Sequence, residues 1–265
     1  MKKIITACCL LLVFSNIYSQ QKEGKVLYER TAQMTIRISG VGDEERSMPR
    51  TRTDKMELVF GNNQSIRKAV VEETPEPTSF EGNGIQIRTF GGGADDIVYN
   101  NYADSRQVDQ REFGGKTYII SDSITKMDWK LTGETKTILG YPCQKATSQR
   151  IGKRTMMSMD NGAMKREEVA DTSNIITWFT PSIPVSAGPE YQGQLPGLIL
   201  EIDINNGRTV YKALEVQQKA NLAMIKEPKS GKKVTAAEFA KERDKLMQDM
   251  QRNNGGPGRS VRFAN

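Results

Sequence analysis

The chain has 265 residues, with 38 Lys or Arg, 32 Asp or Glu and no histidine. The missing histidine removes the usual general base near neutral pH, the Ser–His and Cys–His nucleophile pairs, and the commonest metal ligand. Ten of the basic residues and five of the acidic ones lie in residues 226–265. The rest of the chain therefore lacks the basic excess that binds nucleic acid, and no glycine motif for a nucleotide cofactor is present. We expect no cofactor.

Residues 1–19 have the order of a secretory signal peptide. Two lysines precede an apolar run at residues 4–14, and a polar segment of small residues follows. The run is too short to anchor the mature chain across a bilayer. We therefore expect cleavage after Ser19 and an exported protein, either periplasmic or secreted, without a transmembrane anchor.

One cysteine, Cys143, remains after this cleavage. A lone cysteine in an exported protein cannot form an internal disulfide, so the core must be held by packing alone. Its strand-like surroundings favour a small, buried, apolar residue. The alternative is a reactive thiol or one that links the chain to a partner.

Residues 20–225 have the pattern of an antiparallel β domain. Apolar and polar residues alternate, with Gly- and Asn-containing turns between the runs. The clearest strand patterns lie at residues 25–30, 55–60, 117–120 and 174–179. Two polar stretches, near 40–54 and 72–96, contain too few apolar residues to pack well and predict loop insertions.

The stretch from Gly193 to Val216 predicts a bend followed by a hairpin. Pro196 and Gly197 favour the centre of a type II turn with positive φ at the glycine. Downstream, the dipeptide at 206–207 is Asn-Gly, which favours a two-residue hairpin turn. Counting outward from that turn predicts the cross-strand pairs Ile204 with Thr209, Ile202 with Tyr211, Leu200 with Ala213 and Glu201 with Lys212.

The C-terminal part changes character. Residues 226–252 predict a basic linker and an amphipathic surface helix, which starts at a capping box of Thr235 and Glu238. Residues 253–265 are rich in Gly and Arg and predict a disordered tail.

Three methionines, Met156, Met157 and Met159, stand close together, with Met164 nearby. Thioether sulfur selects soft Cu(I), and a chain without histidine has few other ways to bind it. The same residues also suit a strand edge that packs into an irregular core. The metal site and the packing role are both kept as hypotheses.

An ordered set of motifs resembles the GLPGLI family, exported proteins of Gram-negative bacteria without an established activity. The set consists of Trp129, residues 134–146, residues 178–184, Gly188-Pro189 and residues 195–201. The resemblance covers residues 24–225, most specifically 126–216. This sequence departs from the family hexapeptide at its first position, where Gln194 replaces glycine.

The resemblance implies a mainly β (α+β) fold in the cell envelope, with a curved antiparallel sheet or half-barrel and a C-terminal surface helix. Such a sheet is similar to that of periplasmic lipoprotein carriers such as LolA, which suggests a surface for an acyl chain or an extended peptide. The family's association with outer-membrane TonB-dependent transporters suggests an accessory role.

We therefore expect an exported, non-catalytic envelope protein that binds a protein partner or a hydrophobic ligand. Stiff loops flanked by aromatic residues lose little entropy on binding, which favours residues 180–197 as the binding loop. The same residues also suit a long ordered connection that covers one end of the sheet. The candidate residues are Trp178, Phe179, Pro184, Tyr191, Leu195, Pro196 and Gly197. The alternatives are a carboxylate-based hydrolase, which needs two acidic residues in one cleft, and the Met-based Cu(I) binder.

Overall fold

The computed structural model describes residues 21–39, 45–70, 96–160, 163–253 and 261–264. In these ranges the chain forms thirteen strands, a 3-10 turn at Leu222–Met224 and the helix α1 at Ala236–Asn253. In chain order the strands are β1 (Gly24–Ser39), β2 (Glu45–Gly61), β3 (Gln64–Ala69), β4 (Ile97–Asn101), β5 (Arg106–Phe113), β6 (Lys116–Ser123), β7 (Lys130–Ile138), β8 (Tyr141–Asp160), β9 (Ala163–Thr180), β10 (Leu198–Ile204), β11 (Thr209–Gln217), β12 (Lys232–Val234) and β13 (Val261–Ala264).

These strands form one open, curved sheet. Their order is β12-β6-β5-β4-β3-β2-β1-β11-β10-β9-β8-β7, and β13 pairs with β1. The pairings are antiparallel except the one between β12 and β6. The predicted curved β architecture with a C-terminal helix is confirmed. The parallel pairing of β12 with β6 was not predicted. It is possible because a long crossover, and not a tight turn, connects β12 to the sheet.

The main core lies on one face of the sheet and is closed by residues 181–197, which we call the covering loop. The sheet contributes large, fully buried side chains, among them Tyr28, Phe60 and Phe179. The covering loop contributes Ile183, Ala187 and Leu195 to the same cluster. A single sheet must bury its apolar face against a second layer. On this face the covering loop provides part of that layer.

A smaller cluster contains Tyr99, Val108 and Ile119, and Ile225 packs against it. Ile225 belongs to the segment between β11 and β12, which a bidentate pair joins to the sheet: Glu227 accepts hydrogen bonds from Arg106, one of them 3.0 Å long. This crossover delivers β12 to the outer edge of β6.

Next to its turn, the hairpin of β10 and β11 has the register that the Asn-Gly pattern predicts, but the predicted pair of Leu200 with Ala213 is not part of the ladder. Ile204 pairs with Thr209, Ile202 with Tyr211 and Glu201 with Lys212. Positive φ begins one residue earlier than predicted, at Asn205, and continues through Gly207. Glu201 forms its ion pair with Lys136, at 2.8 Å, and not with Lys212, the residue opposite it on β11.

The predicted type II turn at Pro196-Gly197 is wrong. The Gly197 amide donates a hydrogen bond of 2.9 Å to the Leu195 carbonyl, which closes a three-residue turn, and the φ of Gly197 is not positive. Glycine is required here for space, because a Cβ at this position would lie 2.2 Å from the Thr180 carbonyl oxygen.

The expected loop near residues 40–54 is wrong from Glu45 onward. Strand β2 begins there and pairs with β1 without interruption from Glu45 opposite Ser39 to Phe60 opposite Gly24. A two-stranded ribbon is held by its backbone ladder, so polar side chains do not prevent it. Residues 40–44 and 71–95, and with them most of the insertion expected near 72–96, lie outside the described residues, as does the predicted signal peptide.

The C-terminal helix is confirmed. The Glu238 amide donates to the Thr235 hydroxyl at 3.2 Å, and the Thr235 amide donates to the Glu238 carboxylate at 2.8 Å, as a capping box requires. Phe239 packs edge-on against Tyr118 of the sheet, with ring centroids 5.2 Å apart.

The expected disordered tail is wrong in part. Residues 261–264 form β13 and pair with residues 35–38 of β1, which extend past the end of β11 and leave an edge for a further strand. Residues 254–260 and 265 lie outside the described residues.

Candidate binding surface

The seven predicted loop residues do not form one surface. Phe179 and Leu195 lie in the core, with 0% and 3% exposure, and Gly197 is buried beneath the loop. The other four reach the surface, fully for the two prolines and partly for the aromatic residues: Pro184, Pro196, Trp178 and Tyr191. Three of the seven residues are therefore buried in the structure and are not available for binding.

Trp178 lies on the opposite side of the sheet from the covering loop. It stands between Thr177 and Phe179, which enter the core, so strand alternation directs it to the other face. The Lys136 ammonium lies 4.3 Å from the centroid of its ring, and Lys136 pairs in turn with Glu201. Trp178 thus belongs to a cation–π and ion-pair network and not to the surface of the covering loop.

An ion pair fastens the middle of the covering loop to the sheet. Arg67 of β3 donates to the Glu190 carboxylate at 2.6 Å and also to the Pro189 carbonyl. Tyr211 of β11 donates to the same carboxylate at 3.5 Å. Burial, together with the Glu190 charge, raises the pKa of Tyr211 to about 12. Sequence patterns gave no signal for this anchor, because its residues are more than 20 positions apart.

The end of the covering loop presents an aromatic pair. The rings of Trp129 and Tyr191 meet edge to face, with centroids 5.7 Å apart, and both side chains are half-buried. Gln194 supports the pair, because its side-chain oxygen accepts hydrogen bonds from the Trp129 indole at 2.9 Å and from the Met127 amide at 3.1 Å. The residue that departs from the family hexapeptide therefore ties residues 127–129 to the loop.

Strand β8 continues past the aromatic pair, and on one side of it the described part of the chain supplies no further strand. Its pairing with β7 ends at Thr147, opposite Lys130, and Ser148 then bonds the Asp128 carbonyl at 2.7 Å. Among the described residues, residues 149–160 pair only with β9. We call residues 149–160 the open edge; twelve residues in extended conformation span roughly 40 Å.

Two side chains at the base of the open edge are available for contacts. Ile151 is 80% exposed, which is unusual for a large apolar side chain, and Arg150 is exposed beside it. Burial raises the pKa of Tyr191, and the positive charge of Arg150 opposes that rise. Ser148 bonds the carbonyl of Asp128, the residue before Trp129, so the open edge begins beside the aromatic pair.

A surface cavity of about 330 Å³ lies elsewhere, beside β4 and β5, and is lined in part by Asp96 and Glu112. The Glu112 amide donates to the Asp96 carboxylate at 3.2 Å, and burial raises the pKa of Asp96. Among the residues that the structure describes, no cluster of three or more His, Cys, Asp or Glu is placed to hold a metal ion.

Cys143 is buried, with 1% exposure, in agreement with the packing role predicted for it. Its thiol donates to the Tyr141 carbonyl at 3.4 Å, and burial raises its pKa. The three candidate methionine ligands, Met156, Met157 and Met159, all lie in β8 on the open edge. No described helix has the length and apolar character of a membrane span.

Comparisons with solved structures and curated proteins add little about activity. The chain resembles two crystal structures of PNGF-II, in space groups C2 and P21, with 17% identity to each and TM-scores of 0.46 and 0.47. In each case 83% of this chain is covered, and it spans about a third of the other chain's length, 33% and 34%. No curated protein is significantly similar in sequence.

A protein-family profile matches the part of the chain that holds the covering loop. The matched residues, 129–201, run from the aromatic pair through β7, β8, β9 and the covering loop into β10. The match is consistent with the GLPGLI resemblance, and the family is described only as Protein of unknown function (Porph_ging).

Proposed function

We propose that the chain is an exported, non-catalytic protein of the cell envelope that binds a protein partner at the open edge of β8. The observation that carries this proposal is that β8 extends thirteen residues beyond its last pair with β7, from residue 148 to residue 160. An unpaired edge presents a row of backbone donors and acceptors, which another chain satisfies by adding a strand.

Side chains around the open edge can give the interaction its specificity. Main-chain hydrogen bonds give affinity but little specificity, which comes from the side chains beside the added strand. Ile151 offers an apolar contact, Arg150 a charge, and Trp129 with Tyr191 a rigid aromatic wall. Aromatic residues and arginine are the side chains that most often dominate binding energy at protein interfaces.

A protein partner suits this structure better than a hydrophobic ligand. A carrier of acyl chains needs an apolar space on the covered face of the sheet. Ile183, Ala187 and Leu195 of the covering loop pack in that space as part of the core. A hydrophobic ligand there would have to displace the covering loop and its ion pair with Arg67. An outer-membrane transporter is the partner that the family resemblance favours.

Photo-crosslinking in cells tests the proposal. A photoreactive phenylalanine analogue replaces Ile151, and the control position is Leu214, 40% exposed on β11 away from the open edge. We expect an adduct of defined mass from position 151 and none from position 214. Arg150→Glu should weaken the adduct from position 151. No adduct at 151, or the same adduct from both positions, would overturn the proposal.

A carboxylate-based hydrolase is the second candidate, favoured by the cavity that contains Asp96 and Glu112. A carboxyl group with a raised pKa is suited to general-acid chemistry. Chromogenic esters and glycosides test this candidate, with Asp96→Asn and Glu112→Gln as variants and Glu57→Gln, in the Lys25 ion pair, as the control. Activity lost in the first two variants alone would support the hydrolase, and no turnover of any substrate would dismiss it.

A further inference from the structure

We infer that the cleft between β12 and α1 binds the phosphate groups of anionic lipid headgroups. The cleft has a volume of about 330 Å³, and a space of this size accepts a small polar group. Its charged lining consists of four lysines and two glutamates: Lys232, Lys233, Lys241, Lys245, Glu238 and Glu242. Positive groups are therefore in excess around the cleft.

Two elements bring these lysines together. Strand β12 pairs with β6 at the end of the sheet and contributes two adjacent lysines. Helix α1 contributes Lys241 and Lys245, which are four residues apart and therefore share one side of the helix. The helix is held against the sheet by Phe239, whose ring packs edge-on against those of Tyr118 and Phe113. The positions of the lysines thus follow from the packing of α1 on the sheet.

Both carboxylates of the cleft already have partners. Glu242 accepts a hydrogen bond of 2.7 Å from Lys232. Glu238 accepts hydrogen bonds from the Thr235 amide at 2.8 Å and from the Thr235 hydroxyl at 3.1 Å. Among the described residues, three lysines of the cleft take part in no salt bridge: Lys233, Lys241 and Lys245.

These lysines give the cleft a local positive charge that an anion can relieve. Like charges four residues apart on a helix are unfavourable. The hydrogen bond from Lys232 lowers the pKa of Glu242, and the charges of Lys116 and Lys245 add to this effect. The positive groups therefore surround a carboxylate that is already ionised. A phosphate group is a suitable counter-ion, because an ammonium group binds phosphate as a compact charge with three donors.

The exposure of the lysines favours a lipid surface over a free phosphate ion. All four lysines of the cleft are exposed, and the crossover that leads to β12 carries two more, Lys226 and Lys229. Water and salt weaken the attraction between one small anion and such exposed groups. An anionic membrane presents many headgroups at once, and its surface potential attracts every lysine near it.

The cleft and the open edge lie at opposite ends of the sheet. Strand β12 is the first in the sheet order and β8 is the last but one, with nine strands between them. A lipid contact at β12 therefore leaves the backbone groups of the open edge accessible. The chain can then contact a membrane surface and a protein partner at the same time.

Co-sedimentation with lipid vesicles tests the cleft on the chain without residues 1–19, whose apolar run would itself enter a bilayer. We expect binding to vesicles of equal parts phosphatidylcholine and phosphatidylglycerol, and none to vesicles of phosphatidylcholine alone. Lys241→Gln combined with Lys245→Gln should weaken binding at least about tenfold, since each lysine near an anionic surface contributes about fivefold.

The matched control combines Lys212→Gln with Lys219→Gln, which remove the same charge from exposed positions outside the cleft. It should change the binding less than about twofold, because salt screens distant charges. Equal weakening by the two double variants, or equal binding to both kinds of vesicle, would overturn the inference. Release of the bound chain by inorganic phosphate, at the concentration of the lipid headgroups, would assign the cleft to a free phosphate ion and would also overturn it.

A second measurement does not depend on how the variants fold. The unsubstituted chain is acetylated by an amine reagent with and without the phosphatidylglycerol vesicles, and each lysine is followed by mass spectrometry. The vesicles should protect Lys233, Lys241 and Lys245, whereas Lys212 and Lys219 should react equally in both samples. Absence of protection in the cleft, or equal protection of all five lysines, would overturn the inference. Neither result depends on whether a protein partner binds the open edge.

Discussion

The indole of Trp129 and the side chain of Gln194 are joined by a hydrogen bond of 2.9 Å, although 65 residues separate them. The same Gln194 oxygen accepts from the Met127 amide. One side chain thus connects the segment that leads into β7 with the end of the covering loop, and it holds one ring of the aromatic pair at the proposed partner surface.

Gln194→Ala should lower the free energy of unfolding by about 1 kcal/mol, because two donors lose their acceptor while solvent reaches the half-buried indole. Gln194→Gly, which introduces the first glycine of the GLPGLI hexapeptide, should cost at least as much here. Gln194→Glu keeps an acceptor oxygen and should retain more stability than the Ala variant. Urea denaturation compares the three, and an Ala variant as stable as the parent would contradict the role of Gln194.

Gly197→Ala should be much more disruptive than a typical surface substitution. The added Cβ would lie 2.2 Å from the Thr180 carbonyl oxygen, so the covering loop or the end of β9 must move. Overpacking of this kind typically costs about 1–3 kcal/mol. Gly152→Ala is the matched control, since its nearest neighbour is the Asp171 carbonyl oxygen at 4.0 Å, and its effect should stay within about 0.5 kcal/mol. Equal effects on thermal unfolding would show that the close approach is not a constraint.

Two local patterns in the sequence predicted the local structure correctly, whereas the Pro196-Gly197 pattern did not. Asn206 and Gly207 fixed the register of their hairpin, and Thr235 with Glu238 fixed the start of α1. Each of these features depends on contacts within a few residues. The alternation of apolar and polar residues likewise predicted the central strands correctly, because the sheet buries one face of each of these strands.

The candidate site was less predictable because it depends on contacts between distant segments. Nothing near Leu195 in the sequence shows that it enters the core with β1 and β2, or that Glu190 meets Arg67. The open edge of β8 exists because β7 begins only at Lys130, opposite Thr147, and the sequence of neither strand shows this alone. Residues 45–54 of β2 were predicted as part of a loop because their sequence lacks an apolar face, which a backbone ladder does not need.

Tyr211 should make the folded state sensitive to alkaline pH. Its pKa is about 12 in the folded chain and about 10 when unfolded, so the folded state holds the proton more tightly. The Tyr211 contribution to stability is therefore constant below pH 10 and is lost between pH 10 and 12, by about 3 kcal/mol. Tyr211→Phe should make the loss of stability above pH 10 shallower. Identical alkaline curves for variant and parent would exclude this coupling.

Cys143 should be protected from reagents in the folded chain and reactive once the chain unfolds. The thiolate is the reactive form, and burial raises the pKa of this thiol, so both access and ionisation are suppressed. Its modification by a disulfide reagent at pH 8 must then wait for an opening of the sheet between β7 and β8, and the rate should fall at least about 100-fold relative to the unfolded chain in urea. Rapid labelling of the native protein, or a disulfide-linked dimer on a non-reducing gel, would instead favour the partner-linking thiol. Slow labelling would assign Cys143 to packing and leave the open edge of β8 as the surface on which to look for the partner.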